Sequence, residues 1–282
     1  MSAEKAVYPV QAMARVLGVT RSGYYAWCAR PQPGARQQAN QALRRRIRLI
    51  HADSLGSYGS PRVLRALRDA GDRLGRHRVM RLMRAEQLRG RPVRRFRVTT
   101  QADPLAAAAP NHLNRAFRVA APNRVWAGDM TAIPTHAGWL YLAVLLDLYS
   151  RRVVGWSVRR TLDAELVCAA YRAAVVARGG APTLHHSDRG SQYTSAVYQQ
   201  LLQRDGVVCS MSRPGNCWDN APVESFFRTL KSDLARATLW RTREEATHAM
   251  ADYIDGFYNV RRLHSTLDYQ SPARFEENAC VA

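Results

Sequence analysis

The order of strand-like and helix-like patterns after residue 122 is the feature that most limits how this 282-residue chain can fold. Three apolar segments typical of strands come first, at 125–133, 139–148 and 152–158. Helical patterns then alternate with two short strand patterns, and these segments lie at about 161–178, 184–187, 195–204, 207–211 and 220–235. Three strands in succession favour an antiparallel meander, and the later alternation favours helices packed outside the sheet. We therefore expect an α/β domain built on a mixed five-stranded sheet flanked by helices.

The first ninety residues carry helical periodicity instead. Helices are predicted at about 9–17, 22–29, 38–53, 60–70 and 76–87, with Thr20 and Ser60 as N-cap residues. Gly71 and Gly75 bracket the turn between the last two helices, and the second of these is rich in arginine. This arrangement is typical of a helix-turn-helix.

A small helical bundle with charged outer faces is the alternative for this region. Clustering of the arginines, without alternating acidic residues, favours DNA binding over that alternative. Arg44, Arg45 and Arg62 are the candidate DNA contacts in this part of the chain.

The sequence thus divides into four parts: a helical, helix-turn-helix-like region (1–90), a linker (91–122), an α/β core (123–237) and a C-terminal helical tail (238–282). The linker is strongly basic from 89 to 97 and mostly alanine, flanked by prolines, from 103 to 110. A basic tether that follows a nucleic-acid backbone and a simply flexible connection both fit this composition.

Charge is the strongest bulk property, with a net value of +20. Residues 1–110 hold 22 basic and 6 acidic residues, whereas residues 111–282 hold 20 and 16. A polyanionic partner, most simply nucleic acid, accounts for this asymmetry, and a solvated basic surface is the alternative. No apolar run is long enough to span a membrane, no signal peptide opens the chain, and the five cysteines form no CxxC pair. We expect a cytoplasmic protein, associated with the nucleoid if its partner is DNA.

Three acidic residues stand where predicted strands and a helix could bring them together. Asp129 lies in the first strand, Asp188 follows the fourth, and Glu224 lies just inside the last helix. Carboxylate oxygens are ligands that suit Mg²⁺ or Mn²⁺, and three converging carboxylates could hold two ions for phosphoryl transfer. Taken singly, each residue is as well explained as a turn, cap or helix-dipole residue. Taken together, the three contexts favour metal ligation.

Other polar residues near these positions are given structural or auxiliary roles. Asp147 ends an apolar strand before Ser150 and is interpreted as a turn residue, and Asp163 and Asp219 as cap or loop residues. Packing is expected for at least one of His185 and His186. Lys231, one of only two lysines beside forty arginines, lies two helical turns after Glu224 and is a candidate phosphate contact.

Several sequence blocks around the three carboxylates carry a family resemblance. They read WAGDMT at 126–131, DLYSRRVVGW at 147–156, HSDRGSQY at 186–193, SRPGNCWDNAPVESFF at 212–227 and YNVRRLHSTL at 258–267. Upstream, GVTRSGYY at 18–25 and SYGSPR at 57–62 extend the match. Together they resemble the DDE transposase and retroviral integrase core, with its ribonuclease H-like fold. The closest resemblance is to the second-frame (OrfB) product of the bacterial insertion-sequence family numbered three.

This resemblance implies a metal-dependent transposase that cleaves the 3′ ends of an insertion sequence and joins them to target DNA. Asp129, Asp188 and Glu224 would be the catalytic, metal-binding residues for two Mg²⁺ or Mn²⁺ ions. DNA contacts near the site are expected from Lys231, Arg189, Gln192, Tyr193 and Asn220. Such proteins act as homo-multimers on paired DNA ends, commonly joined to an upstream-frame (OrfA) product. A ribonuclease H-like nuclease, or an inert DNA-binding regulator from a decayed element, are the competing interpretations.

Overall fold

The computed structural model describes residues 1, 4–29, 34–91, 109–234 and 239–281. Its N-terminal helices are α1 (Val10–Val16), α2 (Arg21–Cys28), α3 (Ala35–Asp53), α4 (Ser60–Asp69) and α5 (Arg76–Ala85). The predicted helices are confirmed to within a few residues at each end. Thr20 caps α2 as predicted, since its side chain accepts a hydrogen bond from the backbone N–H of Gly23. Ser60 was assigned wrongly: Gly59 occupies the N-cap position, and Ser60 is the first helical residue before Pro61.

Helices α3, α4 and α5 enclose a small apolar core. Its buried members are Leu43, Ile47, Val63, Leu67, Val79, Leu82 and Met83. Each helix contributes residues three or four positions apart, so one face of each helix is apolar and the arginines occupy the others. The basic segment at 89–97 and the alanine-rich segment at 103–110 fall largely outside the described residues.

The α/β core contains the expected five strands: β1 (Val125–Thr135), β2 (Gly138–Asp147), β3 (Val153–Arg159), β4 (Leu184–Ser187) and β5 (Val208–Met211). They lie in the order β3-β2-β1-β4-β5. The first three form the predicted antiparallel meander, and β4 and β5 add in parallel to β1. The mixed sheet predicted from the order of patterns is therefore confirmed.

Residues of β2 alternate between two buried layers, which shows that both faces of the sheet are covered. Ala143 and Leu145 pack with α6 (Ala164–Arg178) and α8 (Ala196–Arg204), around the buried rings of Trp126, Tyr171 and Tyr198. Leu142, Val144 and Leu146 pack on the other face, against α9 (Ala221–Leu234) and α10 (Arg243–Ala251). Two features departed from the predicted pattern. A short helix, α7 (Ser191–Thr194), precedes α8, and a 3₁₀ turn, Cys217–Asn220, precedes α9.

The chain beyond α10 continues as a π-helical segment (Asp252–Tyr258) and ends in α11 (Pro272–Val281). Glu276 of α11 is nearly buried and accepts hydrogen bonds from Ser150, Arg152 and Arg178 of the core. The stretch after residue 109 also packs on the core, because Leu113 is buried and its N–H donates to the Ser210 hydroxyl.

A second set of contacts joins this C-terminal segment to the N-terminal helices. The Tyr58 hydroxyl, just before α4, donates to the carbonyl of Arg261 (3.3 Å) and accepts from the N–H of Leu263 (2.7 Å). The Arg62 guanidinium donates to the Leu263 carbonyl (2.9 Å). Arg91 donates to the carbonyls of Ser232 and Asp233 at the end of α9. The helical region is thereby fixed to the end of the helix that carries Glu224.

A candidate active site between two strands and a helix

Asp129 and Asp188 lie at matching positions on two adjacent parallel segments, Asp129 within β1 and Asp188 directly after β4. Ala127 of β1 pairs with His186 of β4. Each aspartate comes two residues after its member of that pair. Because side chains two residues apart project from the same face of a strand, both carboxylates emerge on one side of the sheet. Neighbouring strands are about 4.8 Å apart, so the two groups are close neighbours.

Glu224 is brought to the same place by the start of α9. The Asn220 side chain donates from Nδ2 to the carbonyl of Gly128, the residue before Asp129, at 3.0 Å. Glu224 follows one helical turn later, and Val223, Phe226 and Phe227 bury the adjacent face of the helix. The 3₁₀ turn and α9 therefore carry Glu224 over the end of the strand pair.

The negative charges of Asp188 and Glu224 both act on Asp129. Burial raises the pKa of Asp129 well above its usual value, and the negative charges of Asp188 and Glu224 raise it further. The N–H of Met130, which donates to Asp129 at 2.7 Å, and the positive charge of Lys231 oppose that rise. The pKa of Glu224 is raised by burial and by Asp188, and is lowered by Arg228.

Lys231 and the backbone N–H of Gly190 favour the charged forms of Asp129 and Asp188, respectively. Burial lowers the pKa of Lys231, while the charge of Asp129 favours its protonated form. Burial likewise raises the pKa of Asp188, and the N–H of Gly190, which donates to its carboxylate at 2.9 Å, lowers it. Lys231 thus lies within electrostatic reach of Asp129, on the face of α9 expected from its spacing to Glu224.

This set of side chains fits a hard divalent cation. Like charges that raise one another's pKa are relieved by a cation between them. Within the described ranges, no three His, Cys, Asp or Glu side chains converge closely enough to enclose a metal ion. Mg²⁺ does not require such a cage, because it commonly keeps several waters and binds one or two carboxylates together with substrate phosphate.

The layer beneath the carboxylates is buried and aromatic. His185 and His186 are fully buried, which confirms the expected packing role, and burial is the main cause that lowers their pKa values to about 3 and about 4. His185 Nε2 pairs with the Tyr198 hydroxyl at 3.0 Å, and His186 contacts the hydroxyls of Ser210 and Ser212. A side chain at Gly128 would bring its Cβ within 2.8 Å of the His185 ring. Glycine here lets β1 lie close to this layer.

Two residues expected to contact DNA lie in this buried layer instead. Tyr193 is 1% exposed and packs its ring against His185 and Tyr198. Asn220 is 4% exposed and binds Gly128. Protein encloses both side chains, so this pair is corrected from DNA contact to support of the site.

The remaining expected DNA contacts differ in how far their side chains are already engaged. Arg189 donates to the Ser212 carbonyl at 2.8 Å and Gln192 to the Leu162 carbonyl at 3.1 Å, and both are partly exposed. Arg62 is tied to the tail, and Arg44 lies 3.6 Å from Glu86. Arg45 is exposed on α3.

Three other acidic residues have the structural roles expected of them, and one does more. Asp147 is buried and accepts from the N–H groups of Asn123 (2.7 Å) and Tyr149 (2.8 Å), as predicted for a turn residue. Asp163 caps α6 by accepting from the N–H of Leu166.

Asp219 accepts hydrogen bonds from several distant residues, a role that the sequence did not reveal. Its fully buried carboxylate accepts from Asn111 (2.9 Å), Arg115 (2.7 Å) and both the backbone and the guanidinium of Arg213. These bonds hold its pKa well below the usual range. Asp219 therefore fixes the 3₁₀ turn that leads into α9. A local signal for this was absent, because Asn111 and Arg115 are about a hundred residues away in sequence.

Comparison with known proteins agrees with this geometry. Residues 119–217 and 205–272 match two models of an integrase core domain, and residues 38–96 match an HTH-like domain. The chain is 38% identical over 274 residues to the transposase InsF for insertion sequence IS3A of Escherichia coli (strain K12), covering 96% of this chain and 95% of that protein. The chain belongs to this family of insertion-sequence transposases.

Other relatives also match this chain over most of their length. The chain is 39% identical to the transposase for insertion sequence element IS904 of Lactococcus lactis, and the match covers 87% of this chain and 98% of that one. It is 40% identical to the insertion element IS600 uncharacterized 31 kDa protein of Shigella sonnei, covering 94% and 97%. The integrase-core match and the observed strand order confirm the ribonuclease H-like fold.

Solved structures that the comparison found include viral integrases. The integrase catalytic core of HTLV-2 in complex with magnesium is 17% identical, with a TM-score of 0.44, and the match covers 56% of this chain and 99% of that one. A chain of the simian T-cell lymphotropic virus intasome in complex with PP2A regulatory subunit B56 gamma gives 15% and 0.48, covering 82% and 74%. Among the described helices of the transposase, none has the length and apolarity needed to cross a membrane.

Proposed function

We propose that Asp129, Asp188 and Glu224 are the catalytic residues of this transposase, and that they hold two Mg²⁺ or Mn²⁺ ions. The observation that supports the proposal is that β1, the residue after β4 and the first turn of α9 bring these three partly buried carboxylates to one end of the strand pair, where the charges of Asp188 and Glu224 both act on Asp129. Bound ions would activate the attacking oxygen and stabilise the leaving oxygen of a phosphodiester.

The proposed reaction has two phosphoryl-transfer steps on DNA, a hydrolysis followed by a transesterification. Water first attacks the phosphodiester at the end of the element, which releases a 3′-hydroxyl on that end. The 3′-hydroxyl then attacks a phosphodiester of the target, so that one bond forms as another breaks. Asp129 and Asp188 would share the ions and Glu224 would complete the ligand set. Lys231, which interacts with Asp129, would hold a phosphate of the cleaved end.

DNA binding is divided between two parts of the chain in this proposal. The HTH-like domain and the net charge of the first 110 residues support recognition of the duplex. Arg45, exposed on α3, is the best placed of the N-terminal candidates, and Arg189 and Gln192 would contact DNA beside the carboxylates.

The assembly is proposed on the logic of the reaction. Joining two ends of one element to a target requires two active sites held together, which a homo-multimer provides. The upstream-frame (OrfA) product is the proposed additional partner, since it would contribute further binding to the element ends. With DNA as substrate, the protein would work at the nucleoid in the cytoplasm.

Strand transfer on a labelled DNA end taken from the sequence flanking the gene tests the proposal. With Mg²⁺, we expect joined products from the transposase, and a loss of about 1000-fold in Glu224→Gln, because one metal ligand supplies several kcal/mol of transition-state stabilisation. Glu165→Gln is the matched control, since Glu165 only forms an exposed ion pair with Arg172. Cleavage without joining would support a nuclease instead, and binding without cleavage in a fused OrfA–OrfB protein would support a regulator.

A further inference from the structure

Trp218 stands out among the residues around the site because its side chain is turned to solvent. It is 68% exposed, whereas the next two residues, Asp219 and Asn220, are 0% and 4% exposed. Tryptophan is a highly buried residue type on average, so an indole left in water next to two buried residues calls for a physical reason. Among the described residues, no side-chain hydrogen bond or ring contact of Trp218 supplies one.

The backbone under Trp218 is fixed. The N–H of Trp218 donates to the Asn216 side chain at 3.1 Å. Asp219 is held by Arg115 and Arg213, and Asn220 binds the Gly128 carbonyl. The 3₁₀ turn therefore presents the indole from a defined place, directly before the helix that carries Glu224.

Basic side chains bind the turn that carries this ring or follow it on α9. The guanidinium-bearing side chains of Arg115 and Arg213 are 43% and 46% exposed beside the turn. Arg228 is exposed one turn after Glu224 on α9. Glu224 itself is six residues from Trp218, roughly 10 Å along a helical path. An aromatic ring set among arginines is the combination that binds single-stranded nucleic acid, with the ring stacking on a base and the cations contacting phosphates.

We propose that Trp218 stacks on an unpaired base at the DNA end held in the candidate active site. The inference rests on the proposed function and deepens it, because it names the form of DNA that the site takes. Separating the end of one strand from its partner lets its phosphodiester approach the partly buried carboxylates. An aromatic ring that holds the displaced base offsets the loss of pairing and stacking within the duplex. Trp218 is thus a positioning residue that keeps the end open beside Glu224.

Cleavage of two kinds of DNA end tests this role. One end is fully paired, and the other carries mismatches over its last three base pairs. We expect Trp218→Ala to cleave the paired end about 10-fold to 100-fold more slowly, to recover to within about 3-fold of the unsubstituted protein on the mismatched end, and Trp218→Phe to keep most activity. Trp139→Ala is the matched control, because Trp139 is 55% exposed at the far end of the β1–β2 hairpin. An equal loss on both ends, or an equal loss in Trp139→Ala, would overturn the proposal.

A binding measurement separates this inference from the catalytic proposal. In a Glu224→Gln background, 2-aminopurine at the terminal position reports base stacking without any need for cleavage. On the mismatched end, we expect the 2-aminopurine fluorescence to change when the protein with Trp218 binds. When Trp218→Ala binds, the fluorescence should remain equal to that of the unbound mismatched end. The same fluorescence with and without Trp218 would refute stacking, whatever the cleavage assay shows. Because Trp218 is exposed, the melting temperature of Trp218→Ala is expected to stay within about 2 °C of that of the unsubstituted protein.

Discussion

Asp233→Asn is expected to destabilise the transposase more than any exposed carboxylate-to-amide change. Asp233 lies near the end of α9 and is 4% exposed. One of its oxygens accepts from the Tyr253 hydroxyl at 2.9 Å and from the guanidinium of Arg262 at 3.1 Å. Arg262 is itself buried, with 6% of its surface exposed. The substitution leaves a buried positive charge without its counter-charge.

The expected loss follows from that burial. Removing one partner of a buried ion pair costs about 3–5 kcal/mol, and the amide oxygen of asparagine keeps part of the hydrogen bonding. We therefore expect about 3 kcal/mol, which corresponds to a fall in melting temperature of roughly 6–12 °C for a chain of this size. Thermal unfolding followed by circular dichroism measures this directly.

Glu244→Gln is the control for this prediction. The same carboxylate-to-amide change at Glu244 removes the negative charge of an ion pair with Arg160. The side chains of Glu244 and Arg160 are 66% and 70% exposed. Solvent screens an exposed pair, so the melting temperature should fall much less in Glu244→Gln than in Asp233→Asn. Equal losses of stability in the two variants would show that Asp233 does not lock the C-terminal segment to α9.

Two further outcomes follow from contacts elsewhere in the core. Gly155→Ala should lower the yield of folded protein sharply, because its Cβ would clash with the Ala170 carbonyl of α6. Gly256→Ala meets nothing within 4 Å and should fold normally, and soluble expression and melting temperature compare the two variants. His185 has a folded pKa of about 3, below the unfolded value of about 6.5, so between these limits only the unfolded chain takes up its proton and stability falls as pH drops. Denaturant titrations at several pH values from 7.5 to 5 give the free energy of unfolding as a function of pH. Below pH 6 its slope against pH should be shallower in His185→Gln by about 1 kcal/mol per pH unit, and equal slopes would contradict the lowered pKa of His185.

Much of the fold was predictable because local patterns and tertiary packing agree in this chain. The apolar residues whose spacing predicts β1 to β5 are also the residues that pack on the two faces of the sheet, so the sequence pattern and the burial coincide. Gly179 illustrates the same agreement for a helix end, since the predicted stop after α6 is a left-handed C-cap with φ of 66°. Ser60 shows the limit, because Ser, Gly and Pro all suit a helix start, and sequence does not choose between adjacent positions.

The candidate site was only partly accessible from sequence. Asp129, Asp188 and Glu224 could be picked out because each lies in a distinctive block at the edge of a strand or helix. Burial of Tyr193 could not, since a tyrosine in a polar loop gives no sign that α8 and His185 enclose it. The role of Asp219 was also hidden, because its partners come together only when the segment after residue 109 packs on the core.

Direct metal binding tests the central claim, that Asp129, Asp188 and Glu224 form one site for a divalent cation. Electron paramagnetic resonance of Mn²⁺ would be measured on the full chain bound to a DNA end, for the transposase and for Asp129→Asn, Asp188→Asn and Asp163→Asn. Bound Mn²⁺ is expected in the unsubstituted protein and in Asp163→Asn, whose carboxylate caps α6 and contacts Thr161 and Arg159. At least about tenfold weaker binding is expected in Asp129→Asn and Asp188→Asn. Unchanged Mn²⁺ affinity in Asp129→Asn and Asp188→Asn would contradict the central claim.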